Sequence, residues 1–363
     1  MTLFTAFGNI YLIMREMTYK NKKTVIIIVS VLLFAVIVTG AVFLGIYLYN
    51  PALDEPIRIV AYFTSASVNE DTDLSVYDFD HVTHVIYAFA HIDGTTSDIY
   101  VENADGLKKL SEYLATNVPS VKLMLSIATS WDNDGMCRAA HTKSSRANVV
   151  GQCARLMSEY NLKGFDIDWE YPTYDLTNAP YCKDCASDHA SLIEDLRHGL
   201  PSDTILSFAG ANNYALASDL KNNRLHNVVD FVNVMLYDMG MGKHSALNDC
   251  KSAIYAYQLL GYGKDQLNFG LPFYGRCEEA QLDYLSYAQI VELIDRGDAR
   301  LVQEKNYSHA LYGNALISFD TAAQIKKKAD YVKKRGYGGV FCWHLSCDKN
   351  NELITLLWQT LRG

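Results

Sequence analysis

The chain has 363 residues, and a 49% share of AVILMFWYC residues against 20% charged residues excludes a disordered polymer. The net charge of −9 is unevenly placed: Arg15, Lys20, Lys22 and Lys23 against Glu16 leave the first 49 residues at about +3 and the rest at about −12. An acidic domain of this kind lacks the basic face that nucleic acid requires, so nucleic acid is excluded as a partner.

Residues 24–49 read TVIIIVSVLLFAVIVTGAVFLGIYLY, 26 positions without a charge. A membrane-spanning helix needs about 20 apolar residues, whereas the apolar part of a cleaved signal runs to about 7–15. Lys20, Lys22 and Lys23 precede the run, and Asp54 and Glu55 follow it. The positive-inside rule then keeps the N-terminus in the cytoplasm. The expectation is a cytoplasmic tail over 1–23, a transmembrane signal-anchor helix over 24–49, a linker over 50–56 and one domain over 57–363 outside the cell or in the lumen. A cleaved signal and a buried core helix are the alternatives.

All eight cysteines follow the apolar run. An even count on the oxidising side points to disulfides, but eight cysteines allow 105 pairings and the sequence does not choose among them. Cys182 and Cys185, with His189 nearby, form a lone CxxC; a loop disulfide is the better reading than zinc, and no metal or cofactor is expected. Asn306-Tyr307-Ser308 is a glycosylation sequon.

Eight short apolar, β-branched runs follow in order: 57–63 (IRIVAYF), 83–90 (THVIYAFA), 121–127 (VKLMLSI), 164–169 (GFDIDW), 205–209 (ILSFA), 231–237 (FVNVMLY), 267–271 (LNFGL) and 339–343 (GVFCW). Amphipathic stretches lie between them at 104–117, 146–160, 189–199, 252–260 and 321–335. In the last, Ala322, Ile325, Ala329 and Val332 form an apolar stripe, and Lys326, Lys327 and Lys328 read as a solvated face. The alternation predicts an α/β fold, a closed (β/α)₈ barrel. An open nucleotide-binding sheet would carry a Gly-rich loop after its first strand, where this chain has TSASVNED. The gap from about 273 to 338 exceeds one helix and predicts a small insertion between strands seven and eight.

The stretch 162–172 reads LKGFDIDWEYP. Asp166, Asp168 and Glu170 alternate with Phe165, Ile167 and Trp169, and on a strand alternate residues share a face, about 6.7 Å apart. Three carboxylates would face the barrel interior while the apolar set packs outward. Burial and mutual repulsion raise carboxyl pKa values, which keeps a glutamic acid protonated near neutrality as a general acid.

This stretch resembles the DGxDxDxE pattern of glycoside hydrolase family 18, the chitinase family. Residues 122–127 resemble its KxxxSxG motif, 235–238 (MLYD) its MxYD motif, 270–276 (GLPFYGR) its seventh-strand motif, and Gly338-Gly339 with Trp343 its GGxxxW. The likeness covers about 56–360, with the motifs in family order. It implies a substrate-assisted retaining glycosidase, endo-acting, on chitin or another N-acetylglucosamine glycan. Glu170 would be the proton donor, Asp168 would orient the acetamido group, Asp166 would share a proton with Asp168, Tyr237 would bond the acetamido oxygen, and Asp238 would fix the distorted sugar. Met235 and Trp343 would floor the site; Tyr62, Phe89, Trp131, Tyr171, Tyr274 and Arg276 are further cleft candidates. Lys163 stands where the family has its first aspartate and is expected to alter the charge around Asp166, while Ala128 and Thr129 add bulk on the third strand. A lectin that binds the glycan without cutting it is the alternative from another class, and a structural ectodomain is a third.

Overall fold

The computed structural model describes residues 56–129, 134–172, 185–213, 217, 224–240, 242–279 and 283–363, together with Ser30. Pro56–Gly363 is one compact unit. Apart from Ser30, the expected anchor at 24–49 lies outside the described residues, among which no helix is long and apolar enough to cross a membrane.

The eight runs are strands: β1 Arg58–Thr64, β2 His84–Ile92, β3 Lys122–Ala128, β4 Gly164–Asp168, β5 Ile205–Gly210, β6 Phe231–Val234, β7 Leu267–Pro272 and β8 Gly339–Trp343. Each pairs in parallel with its neighbours, and β1 pairs with both β2 and β8, so the sheet closes. Closure explains why the runs are apolar on both faces. One buried cluster fills the barrel with Val60, Tyr62, Ile86, Met124, Phe231 and Phe341. A larger one, holding Phe165, Ile167 and Trp169, lies between the strands and the surrounding helices.

The helix Ala322–Arg335 buries Ile325, Ala329 and Val332 as the period predicts, and stops at Gly336, whose φ of 69° suits glycine. Lys328 corrects the expected solvated lysine face. It is buried beside those residues, ion-paired with Asp320, and donates to Ser245 O and Oγ at 2.6 Å. Lys326 and Lys327 stay exposed.

The expected insertion is a helix, Tyr287–Asp295, and an antiparallel sheet of Ala299–Gln303, Ser308–Tyr312 and Ala315–Phe319. A bridge between Arg276 and Ser318 ties that sheet to the loop after β7. Asn306 lies in the insertion, half-buried, within 3.3 Å of Lys327 Nζ, and Ser308 of its sequon is buried against Gln324. The expectation of general disulfide pairing is corrected: Cys153, Cys250, Cys277, Cys342 and Cys347 are buried free thiols. All five belong to the buried cluster between strands and helices, where they pack as small apolar groups. Cys185 is disulfide-bonded, and Cys182 lies outside the described residues.

Candidate active site

Strand alternation carries Asp166 and Asp168 inward from β4, because Phe165, Ile167 and Trp169 occupy the outer apolar layer. Asp166 is fully buried and surrounded by donors. Tyr62 OH and Ser126 Oγ donate to its Oδ2 at 2.8 and 2.9 Å, and Ser207 Oγ and Asn233 Nδ2 reach its Oδ1 at 2.6 and 3.4 Å. Burial raises the Asp166 pKa, and these four bonds oppose the rise. Lys163, expected to act here, instead sits exposed before β4, bonding Asn161 Oδ1 at 2.9 Å.

Asp168, one step up the strand, is 6% exposed, and its Oδ1 is buried without a partner among the described residues. Burial pushes its pKa well above the ordinary carboxylate range, and the charges of Glu170 and Asp166 push the same way. Glu170 opens into the cleft with more than a third of its surface exposed, yet the walls exclude enough water to raise its pKa too. Tyr171 opposes this by hydrogen bonding and Asp238 adds to it. The Glu170 backbone N–H points to Thr129 Oγ1 at 3.5 Å, so the third-strand bulk lies directly beside this residue.

Asp238 is the opposite case. Loss of water would raise its pKa, but His244 and Arg276 outweigh that and hold it far below the usual range. Arg276 makes a two-pronged contact, Nε to Oδ1 and Nη2 to Oδ2, both 2.9 Å, and Tyr274 OH donates to Oδ2 at 2.8 Å. Tyr237 is buried, and burial raises its pKa so that the phenol keeps its proton. The Trp343 indole lies nearly parallel to Phe89, with ring centres 5.6 Å apart, and leans on Tyr62 at 5.5 Å.

These groups surround a cleft of about 470 Å³. Asp166 lies beneath it and Trp131 lies outside the described residues; every other expected catalytic or sugar-contacting residue lines it. Asn212 and Asn213 also line it, from the loop after β5, and Asn212 Nδ2 donates to Tyr237 O at 2.6 Å. Neither they nor His244 carried a sequence signal, since loops have no period. Ser207 and Asn233 did: each lies at an inward alternate position of its strand. Among the described residues no group of three His, Cys, Asp or Glu side chains is placed to hold a metal ion. The arrangement supplies a raised-pKa carboxyl at an open mouth, a deeper carboxyl with a spare oxygen, a neutral phenol and a flat aromatic floor. That combination suits acid-assisted cleavage of a polar ligand with flat apolar faces.

Known proteins share both the sequence and the architecture. A class V chitinase of Arabidopsis thaliana is 26% identical over 337 residues, covering 81% of this chain and 86% of that protein. A chitinase 1 of Aphanocladium album is 26% identical over 344 residues, covering 77% and 79%. The solved structure of a class V chitinase from Nicotiana tobaccum in complex with NAG4 has a TM-score of 0.75 at 22% identity, covering 85% of this chain and 99% of that one, which shows the shared fold. Residues 58–348 match the family described as Glycosyl hydrolases family 18. On that match, spanning most of the barrel, the chain belongs to glycosyl hydrolases family 18.

Proposed function

We propose that the chain hydrolyses β-1,4 bonds in chitin or N-acetylglucosamine oligosaccharides, endo-acting, by a substrate-assisted retaining route. The observation that carries this reading is the opposed state of the carboxyls: Asp168 and Glu170 are raised while Asp238 is lowered, in one cleft. A raised Glu170 holds a proton for the bridging oxygen of the bond to be cut. The substrate's acetamido oxygen attacks the anomeric carbon as that bond breaks, and the leaving sugar takes the proton. Asp168 accepts from the acetamido N–H, which places the oxygen for attack, and Tyr237 donates to that oxygen. Water then attacks the anomeric carbon of the oxazolinium ring from the face the leaving sugar has vacated, breaking the ring bond and giving its proton to Glu170. Asp238 holds the distorted sugar through its hydroxyls, with Met235 and Trp343 beneath it, and Tyr62, Phe89, Tyr171, Tyr274 and Arg276 form the walls. The solved relatives that carry NAG4 or (GlcNAc)3 support the ligand class. A polymer substrate also fits a domain held outside the cell by an anchor at 24–49 in type II orientation, with a glycan on Asn306.

The test uses the full chain with a chromogenic chitooligosaccharide. Chromophore release is expected, falling by about 10²–10⁴-fold in Glu170→Gln, the range for a lost general acid. Tight binding by both proteins with no release from either would instead favour the lectin reading.

A further inference from the structure

Below the cleft the barrel holds a row of hydrogen bonds that all run one way. Arg58 Nε donates to Asn268 Oδ1 at 3.1 Å, and Asn268 Nδ2 donates to Asn233 Oδ1 at 2.9 Å. Asn233 Nδ2 then donates to Tyr62 OH at 3.1 Å and reaches Asp166 Oδ1 at 3.4 Å, while Tyr62 OH donates to Asp166 Oδ2 at 2.8 Å. Both asparagines are fully buried. Strand register assembles the row: Arg58 lies opposite Gly339, Gly339 opposite Asn268, and Asn268 opposite Asn233.

The Gly338-Gly339 pair makes room for it. A Cβ on Gly339 would stand 2.6 Å from Asn268 Oδ1, and one on Gly338 would stand 2.1 Å from Arg58 Nη2. Those are distances that real Cβ atoms do not adopt, so side chains there would displace the outer end of the row.

A guanidinium donates and never accepts. Asn268 must therefore turn its oxygen to Arg58 and its NH₂ inward. Asn233, meeting that NH₂, must turn its own oxygen outward and its NH₂ toward Tyr62 and Asp166. The sense of every bond is thus set at the far end, on the first residue of β1. Asp166, at the near end, meets only donors.

We propose that Asn268, oriented by Arg58, is a positioning residue of the active site: it fixes the direction of Asn233 and so holds Asp166 as an acceptor beneath Asp168. This rests on the hydrolase reading of Asp168 and deepens it. The charged and titratable groups around the row are Tyr62 and Arg58 from β1, His84 from β2, Lys122 from β3, Asp166 and Asp168 from β4, Tyr237 just after β6, and Arg362 from the C-terminal helix.

Asn268→Asp separates this role from simple packing. It preserves a partner for Arg58 but offers only acceptors inward, so Asn233 must reverse and aim its oxygen at Asp166. In the full chain labelled with ¹³C-carboxyl aspartate, the Asp166 resonance is identified by its loss in Asp166→Asn. The expected result is an Asp166 titration midpoint at least one unit higher in Asn268→Asp, about a tenfold shift in proton affinity. Asn268→Leu, which only removes the donor, shifts it less. On a chromogenic chitooligosaccharide, kcat falls about tenfold or more in Asn268→Asp with KM within about twofold. A merely structural asparagine predicts the reverse order, with Asn268→Asp close to wild type and Asn268→Leu worse. An unchanged Asp166 titration in folded Asn268→Asp overturns the proposal. Should that variant fail to fold, Arg58→Met removes the outer donor and must move the same resonance upward, or the proposal falls. If the wild-type chain releases no chromophore, the hydrolase reading fails, and the carboxyl titration still decides the orientation claim.

Discussion

Asp168 and Asp238 line one cleft and are driven in opposite directions by what surrounds them. Asp238 has Arg276 on both oxygens, and Asp168 has a buried oxygen without a partner among the described residues. A carboxyl whose pKa is raised by folding is fully compatible with the fold only below its unfolded value. Stability is lost as pH rises through the folded value. Replacing Asp168 with Asn removes the charge at every pH. Asp168→Asn is therefore expected to melt higher than wild type at pH 7, by a few degrees at roughly 2–4 °C per kcal/mol in a large domain. The gain should shrink as pH falls toward 4 and vanish below it, where the native acid becomes protonated in the unfolded state as well, while turnover is lost throughout. Scanning calorimetry across that range checks the sign. The acids were legible in the sequence because DIDWE alternates. Their different environments were not, since His244 and Asn212 come from loops without any period.

At the scale of elements, strand positions followed from apolar runs, and observed ends lie within about two residues of the expected ones for most strands. Strands closed into a barrel are buried on both faces, and that pattern is hard to hide. The insertion sheet was invisible as strands because Ala299–Gln303 is mostly exposed and carries Arg300 and Gln303 among its apolar residues. Lys328 misled for a related reason: in a run of three lysines, periodicity alone cannot say which one turns inward. Its contacts give it a task, since it joins the helix Ala322–Arg335 to Ser245, next to the His244 that meets Asp238. Lys328→Met leaves Asp320 buried and uncompensated, so a loss of about 3–5 kcal/mol is expected in urea unfolding. Lys328→Met with Asp320→Leu should recover more than half of it. A single variant as stable as wild type would show that the pair does not hold the loop.

For the whole molecule, acid is the expected weakness. Burial lowers the pKa of His189 to about 4, and His84 and His344 are lowered for the same reason, to about 3 and about 4. His189 lies edge-on to Trp169 and Phe208, behind β4 and β5. A histidine depressed in the fold contributes stability above its unfolded pKa near 6.5 and loses it as pH falls through the folded value. His189 alone accounts for about 3 kcal/mol over that interval, at 1.36 kcal/mol per unit. His189→Leu should flatten the fall in melting temperature between pH 6.5 and 4, and an unchanged slope would exclude His189 as its source. In the proposed route the substrate's own acetamido group attacks from within this cleft. Proton NMR of the first product released from an N-acetylglucosamine tetramer tests it most directly. Retention gives the β-anomer first, relaxing later to the α/β mixture; an α-anomer as the initial product rules the acetamido route out.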